Sequence, residues 1–500
     1  MTQYITNAHV CDILNCCYIV LYISGIKQQC FMPEQYFLWR AIGGNDVPIF
    51  KLHGVHVPHL KKTERSSPDR MPVPKSITIP MVMHIGAPAK PCVMPGDMVK
   101  VGQIIAESGG FVSAPIHTGV SGTVKKIDNF LLSSGQTVEA VIIESDGEQS
   151  IHESVAPPKV ADLAEFLAAV RASGVVGLGG AGFPTEVKLT VKDLSKIEVV
   201  IINGAECEPY ITPDTRTMLD DTVLVWEGIE LIQKHLQVER VIIGIEDNKP
   251  QCIKVFSELC KKNSGVEVKP LPAMYPQGGE KVMIFNTIGR VVPEGKLPID
   301  VGAIVINCTT IATIAKYIKT GMPLVEKCVT VDGSAVKEPK NVIVPVGAPL
   351  RDVFDFCGGF AEEPRKVLCG GPMMGISVTD LEAPILKYTN AIIALNEKDA
   401  TPPKETACIR CGKCIDHCPL NLMPCDIETA FNRKDGATLD KLKVNICMEC
   451  GCCGYICPAH RNLVQVHKLS KVMLKNYQDA NKAETEKQLA AEQEKKEGAK

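Results

Sequence analysis

The chain has 500 residues, 45% of them hydrophobic, with a formal net charge of -3 and 22 cysteines. That length allows roughly three or four domains, and the near-balanced charge excludes a general nucleic-acid binder. A disulfide framework does not suit a chain this long whose best cysteine pattern is metal-binding. Free thiols and metal clusters want a reducing compartment. No stretch reaches the roughly 18–20 apolar residues that a spanning helix requires.

Residues 1–48 form an N-terminal extension without a pattern that specifies structure. Its most apolar run, 13–26, has no basic residue before it and reads poorly as a signal peptide. Residues 49–75 read as an extended arm. His53, His56 and His59 recur at every third position there, but Gly54 and Pro58 break a common helical face, so no metal site is expected. Residues 76–150 read as all-β, with short apolar runs at 77–80, 99–105, 120–127 and 138–143 cut by turn signals such as Pro95-Gly96-Asp97. The phrases MPGDMVKVGQIIAE and SAPIHTGVSGTVKKI resemble the barrel-sandwich fold of lipoyl and biotinyl carriers. The carrier's modifiable lysine is missing near Ser108-Gly109-Gly110, so the module is read as structural.

Pro157-Pro158 mark a linker. Asp162 and Glu165 make a start resembling a capping box. Leu163, Phe166, Leu167 and Val170 follow at helical spacing, which predicts a helix to about Ser173, ended by Gly174. The glycine loop Gly177, Gly179, Gly180 and Gly182 then lets backbone approach a flat ligand or a phosphate without Cβ clashes. Alone, such a loop is equally a tight turn.

Three apolar runs, 199–202, 241–245 and 303–306, read as buried parallel strands. Each ends in polar residues: Asn203 to Glu208, Glu246-Asp247-Asn248, and Asn307-Cys308-Thr309-Thr310. The carboxyl ends of such strands are where α/β sheets place their ligands. With Tyr275-Pro276-Gln277-Gly278-Gly279-Glu280-Lys281 between them, residues 151–325 are expected to form a Rossmann-like layer with one composite site.

In 326–400, the run 342–346 precedes Leu350, Val353 and Phe354 on a predicted helix. The loop Gly370-Gly371-Pro372-Met373-Met374-Gly375 has no helix start behind it, which favours packing on a neighbouring domain over phosphate binding. Pro402-Pro403 lie in the linker to residues 401–465. There the spacing C-x2-C-x2-C-x3-C-P occurs twice, at Cys408, Cys411, Cys414, Cys418 and at Cys447, Cys450, Cys453, Cys457. This is the bacterial two-cluster ferredoxin run, whose fourth cysteine ligates the other cluster. Cys408, Cys411 and Cys414 therefore pair with Cys457, and Cys447, Cys450 and Cys453 with Cys418. Zinc prefers two separated ligand pairs, often with histidine. Cys425 and Cys452 fall outside the spacing and read as small buried residues. Residues 466–500 are strongly charged, with pairs such as Glu492 and Lys496, and read as a solvated helical tail.

GLGGAGFPTEVKL, INGAECEPYITPD, YPQGGEK and INCTTIATIA resemble the four flavin- and NADH-site stretches of the flavoprotein subunit of respiratory complex I. With a barrel-sandwich in front and a two-cluster ferredoxin behind, the order over about residues 50–465 resembles the RnfC family, found in the Rnf ion-translocating ferredoxin:NAD oxidoreductases. Residues 326–400 are then similar to the small β-grasp (SLBB-like) domain of both families. The resemblance implies FMN against Gly177, Gly179, Gly180 and Gly182, with Lys188 near its phosphate or ring. Asn203 and Glu206 would contact isoalloxazine and ribityl, Phe183, Glu208 and Glu280 would border the nicotinamide, and Asn307, Thr309 and Thr310 would hold the phosphate. No side chain is implied as a covalent catalyst, because hydride passes between cofactors. Complex I has an aspartate where this chain has Ala205, so the ring-edge contacts differ.

The function so implied is a peripheral, NADH-reactive subunit at the cytoplasmic face of the cell membrane, an NADH:acceptor oxidoreductase component. It would relay electrons among two [4Fe–4S] clusters, FMN and NAD(H), while partner subunits oxidise ferredoxin and translocate the ion. The alternative is a soluble flavin and iron–sulfur NADH-dependent reductase resembling the cobalamin reductases, in which the barrel-sandwich follows the ferredoxin module instead of preceding it.

Overall fold

The computed structural model describes residues 53–497, together with a short pairing of Tyr22–Ile23 with Ile26–Lys27 in a separate N-terminal unit. The rest of the 1–48 extension lies outside the described residues.

Ser76–Pro80, Thr137–Ser145, Gly122–Leu131 and Met98–Val99 form an antiparallel sheet in that order. Lys90–Pro91, Ile104–Glu107 and Ile116–His117 form a second sheet. Alternate residues of both sheets, among them Ile77, Ile79, Ile105, Ile116, Val141 and Ile143, share one core. This is the sandwich that period-two patterning requires. The linker helix follows as Leu163–Ala172. Asp162 Oδ1 accepts from Glu165 N at 2.9 Å, and Glu165 Oε2 accepts from Ala161 N at 2.7 Å, so the two carboxylates satisfy donors that a helix start leaves free.

The next layer is a parallel sheet in the order Val266–Leu271, Val241–Glu246, Val199–Gly204, Ala303–Asn307. Its central strands are covered on both faces, which is why they read as unbroken apolar runs. Val200, Ile202, Ile243 and Ile304 pack on helices Thr222–Leu236 and Cys308–Thr320, while Ile201, Ile242 and Val305 pack on helix Glu280–Ile288. The chain adds its second and third strands on one side of Val199–Gly204 and its fourth on the other. The order therefore reverses between Val199–Gly204 and Ala303–Asn307, the kind of point at which open α/β sheets form a ligand crevice beyond the strands' carboxyl ends.

A six-stranded mixed sheet follows, in the order Ile376–Val378, Lys366–Cys369, Ala391–Leu395, Glu326–Asp332, Lys340–Pro345, Asp69–Arg70. Its last strand belongs to the arm, which is thus built into the fold: Asp69 and Arg70 pair in parallel with Val342 and Ile343. The first half of the C-terminal helix, Leu463–Glu497, packs on the cysteine module. Leu463, His467, Ser470 and Leu474 are buried at helical spacing, and Leu474 packs with Ile427, Leu439 and Val444. Among the described residues no helix is long and apolar enough to cross a membrane.

Ile202 is fully buried in the central strand. Ile202→Ala is expected to destabilise the parallel-sheet domain by about 2–5 kcal/mol. Calorimetry should show a lowered transition for that domain, and an unchanged transition would contradict the described core.

Candidate functional site

Asn203 and Asn307 are in-register partners at the carboxyl ends of the two strands that flank the crevice. Asn307 Oδ1 accepts from Thr309 N at 3.0 Å and Thr310 N at 3.1 Å, capping helix Cys308–Thr320. Its Nδ2 donates to Asp214 Oδ2 at 2.7 Å, and Thr309 Oγ1 donates to Asp214 Oδ1 at 2.6 Å. Asn203 Nδ2 donates to Gly278 O at 2.9 Å, tying the first strand to the segment before helix Glu280–Ile288.

The glycine loop closes on itself: Gly177 N donates to Phe183 O at 2.8 Å and Gly182 N to Gly177 O at 3.0 Å. Leu178 N donates to Thr310 Oγ1 at 2.9 Å, and the buried Lys327 Nζ donates to Leu178 O at 3.1 Å. Gly180 has φ +107°, and a Cβ there would meet nothing within 4 Å, so its outer side is open. Gly182, at φ +66°, is closed in: a Cβ would lie 2.8 Å from the Tyr388 ring. A Cβ on Gly179 would lie 3.3 Å from Asn307 Nδ2. Lys188 Nζ donates to Glu280 Oε1 at 2.7 Å and to Val305 O at 3.1 Å. The glycine loop with Phe183, Lys188, Asn203, Glu280, Asn307, Thr309 and Thr310 thus gathers at one end of the sheet. The open backbone at Gly180 leaves room for a planar ring, while at the neighbouring helix N-terminus the Asp214 carboxylate occupies Asn307 Nδ2 and Thr309 Oγ1.

Glu206 and Glu208 are held differently. Glu206 Oε1 accepts from Asp214 N at 2.8 Å, and Oε2 accepts from Thr215 Oγ1 at 2.6 Å. Both oxygens are thereby engaged within the chain, at the start of helix Pro213–Asp220. Burial pushes its pKa up to about 7, opposed by the Lys61 ammonium and reinforced by Asp214. Lys61, from the arm, donates to the carbonyls of Glu206, Glu208 and Ile211 at 2.8, 3.1 and 2.5 Å. Glu246 accepts from Glu206 N at 3.0 Å and pairs with Lys249 at 2.6 Å, both side chains buried. Glu208 accepts from Met374 N at 2.9 Å and Met373 N at 3.1 Å, and burial pushes its pKa also to about 7. A Cβ on Gly371 would lie 2.2 Å from Glu208 Oε2, so the glycine makes room for the carboxylate. The Gly370–Gly375 loop packs as its sequence suggests, with Met373 against Val55, Tyr275, Cys450 and Cys452. Sequence reasoning missed Lys61, Asp214 and Lys327. Only Asp214 carried a signal, as an acid in the first turn after Pro213.

The two cysteine repeats share one backbone conformation. Arg410 and Glu449 are left-handed at φ 54° and 59°, Gly412 and Gly451 at 78° and 89°, and Asn421 and His460 at 54° and 52°. Each pair occupies the same offset in its repeat. Cys418, Cys447, Cys450 and Cys453 line one cavity, with Cys452 in its wall. Cys408, Cys411, Cys414 and Cys457 line another, with Cys425 in its wall. Backbone N–H groups reach sulfur in both halves: Arg410 N to Cys408 Sγ at 3.4 Å, Glu449 N to Cys447 Sγ at 3.4 Å and Leu422 N to Cys418 Sγ at 3.3 Å. Among the described residues no three His, Cys, Asp or Glu side chains close on a single ion-sized point. The quartets surround a space instead. Cys452 is fully buried, as a small packing residue would be.

These features define a multidomain α/β protein of the flavin-binding class, and the family models agree. Residues 50–148 match the RnfC barrel sandwich hybrid domain, 170–316 the Nuo51 FMN-binding domain and 328–377 the SLBB domain. Three relatives are the RnfC-type components of ion-translocating complexes. The chain is 43% identical over 375 residues to that of the proton-translocating ferredoxin:NAD(+) oxidoreductase complex of Clostridium ljungdahlii, covering 74% of this chain and 82% of that one. It is 40% identical over 400 residues to that of the Na(+)-translocating ferredoxin:NAD(+) oxidoreductase complex of Acetobacterium woodii, covering 79% and 90%. To that of the ion-translocating oxidoreductase complex of Rhodobacter capsulatus it is 36% identical over 388 residues, covering 76% and 75%. The chain belongs to the RnfC family of ion-translocating ferredoxin:NAD(+) oxidoreductase components.

Glu206 and Glu208, both raised from 4.5 to about 7, keep protons in the folded state that the unfolded chain has released. Their contribution therefore makes stability fall as pH rises from 4.5 to about 7, and level off above. Glu208→Gln removes one of the two groups. Scanning calorimetry should find a smaller drop in midpoint between pH 5 and 7 than in the unsubstituted protein, and an equal drop would contradict the assignment.

Proposed function

We propose that this protein is the peripheral, NADH-reactive subunit of a membrane-bound ion-translocating electron-transport complex. It passes electrons between two [4Fe–4S] clusters, FMN and NAD(H), while partner subunits oxidise ferredoxin and move the ion. The observation that carries this reading is the convergence, at the strand-order reversal, of an open glycine backbone and a capped helix N-terminus on a chain that also carries two cysteine-lined cavities. FMN supplies the exchange between two-electron hydride chemistry and one-electron cluster chemistry.

The chain's own residues bind and orient. Gly177, Gly179, Gly180 and Gly182 offer backbone without side-chain bulk to the flavin ring. Asn307, Thr309 and Thr310 hold the phosphate once it takes the place of the Asp214 carboxylate on Asn307 Nδ2 and Thr309 Oγ1. Lys188 supplies positive charge beside the ring, steadied by Glu280. Asn203, fixed to Gly278, sits at the strand tip with Glu206 behind it, and Phe183, Glu208 and Glu280 border the nicotinamide. No side chain acts as a covalent catalyst.

Within a ferredoxin module at 401–465, Cys408, Cys411, Cys414 and Cys457 hold one cluster, and Cys418, Cys447, Cys450 and Cys453 the other. The cross-paired linings, the repeated left-handed positions and the N–H···S bonds support this. A cubane fills a space between four thiolates and does not need them to meet at one point. The remaining modules are an arm at 49–75, a barrel-sandwich at 76–150, the FMN and NADH domain at 151–325, a β-grasp domain at 326–400 and a helical tail at 466–500. We place the protein on the cytoplasmic face of the membrane, where clusters and free thiols stay reduced. The barrel-sandwich lies ahead of the cysteine module, an order that favours this reading over a soluble reductase.

Protein made anaerobically is expected to hold about eight irons in two cubanes and a non-covalent FMN that NADH bleaches. A preparation with zinc alone, or a folded protein without flavin, would contradict the reading. Gly180→Trp places an indole on the open side of the loop and should empty the flavin site while leaving the iron content unchanged. Retained flavin would mean that the site lies elsewhere.

A further inference from the structure

The nucleotide domain and the cysteine module meet at a side chain to which nothing above gives a role. Tyr275 is 2% exposed. Its hydroxyl donates to the backbone carbonyl of Cys450 at 2.5 Å. Its backbone is pinned to the arm: Val55 N donates to Tyr275 O at 2.8 Å, and Tyr275 N to Val55 O at 3.0 Å. Cys452 Sγ lies 3.8 Å from that same Tyr275 carbonyl. Three residues on, Gly278 O accepts from Asn203 at the mouth of the crevice. The next residue, Gly279, is as closely seated, since a Cβ there would lie 2.5 Å from Met448 Cε. The loop carrying Cys447, Cys450 and Cys453 therefore rests directly on the segment that borders the nucleotide site. The other quartet faces outward: Cys408 and Cys411 are exposed, and Ile409 between them is 68% exposed.

We propose that Tyr275 is a positioning residue that couples the nucleotide site to the quartet Cys418, Cys447, Cys450 and Cys453, and that the cluster of this quartet is the one exchanging electrons directly with the flavin. The inference rests on the function proposed above. A hydroxyl donating to a carbonyl within an apolar cluster is directional and is not competed for by water. It fixes the backbone of a ligand cysteine, and groups that orient ligands tune both the geometry and the potential of a metal site. Electrons balance in the step. NADH gives two to the flavin as a hydride, the reduced flavin passes both, one at a time, to the cubane of this quartet, which hands the first on to the other oxidised cubane, the flavin's protons go to solvent, and no heavy-atom bond forms or breaks in the protein.

The test uses the full chain, made anaerobically with its clusters and FMN, mixed rapidly with NADH and followed by absorbance and freeze-quench electron paramagnetic resonance. Tyr275→Phe keeps the ring and removes the donor. The flavin should bleach at the unsubstituted rate while cluster reduction slows by about tenfold or more, as for a misplaced reacting group. One cubane signal should shift, namely the one that Cys453→Ser abolishes and Cys414→Ser spares. Should the phenylalanine variant lose iron, 3-fluorotyrosine at position 275, nearly isosteric and altered only in donor strength, must move that same signal. Unchanged cluster reduction with both signals in place overturns the proposal, and so does a shift of the Cys414-dependent signal instead. Unsubstituted protein lacking flavin or cubanes overturns the functional reading itself, and this inference with it, before any variant is compared.

Discussion

The reversal of strand order between Val199–Gly204 and Ala303–Asn307 is the constraint on which the rest depends. Two neighbouring parallel strands whose connections leave in opposite directions cannot cover their own carboxyl ends. The polar residues there must satisfy one another or a ligand. Asn203 and Asn307 stand side by side at that edge, one bonded to Gly278 and the other capping a helix and held by Asp214. The glycine loop reaches the same edge through Thr310. Each contact is local, but all of them exist only because the sheet opens at this place.

The surrounding modules act as a clasp on that crevice. Lys61, from the arm, gathers three carbonyls of the segment that carries Glu206 and Glu208. Lys327, from the six-stranded sheet, holds the glycine loop from behind. The Gly370–Gly375 loop of that sheet supplies two backbone donors to Glu208. Such buried polar contacts stabilise little in net terms when complete, but they are costly to leave half made. They therefore specify one arrangement of three modules around one crevice more than they add stability.

What could be read from the sequence follows the range of the interaction. The central strands were legible because a strand covered on both faces must be apolar throughout. Val266–Leu271 was not, because it is an edge strand in which Glu267, Lys269 and Pro270 interrupt the pattern. The two cysteine repeats, and the backbone turns they share, were legible because each is a pattern only a few residues long. Asp162 with Glu165 was legible for the same reason. The arm's pairing through Asp69 and Arg70, the Lys61 clasp and the loop that holds Glu208 join residues more than a hundred positions apart. No local pattern records such partners. The glycine loop was legible as a loop, and its open side at Gly180 became visible only in three dimensions.

Iron-edge anomalous diffraction from anaerobically grown crystals of the full chain soaked with NADH tests the central claim most directly. The account predicts two compact four-iron peaks, one within Cys418, Cys447, Cys450 and Cys453 and one within Cys408, Cys411, Cys414 and Cys457, with flavin density against Gly180 and nicotinamide stacked on it. Single-metal peaks in the cysteine cavities, or flavin density away from the crevice between Asn203 and Asn307, would contradict it.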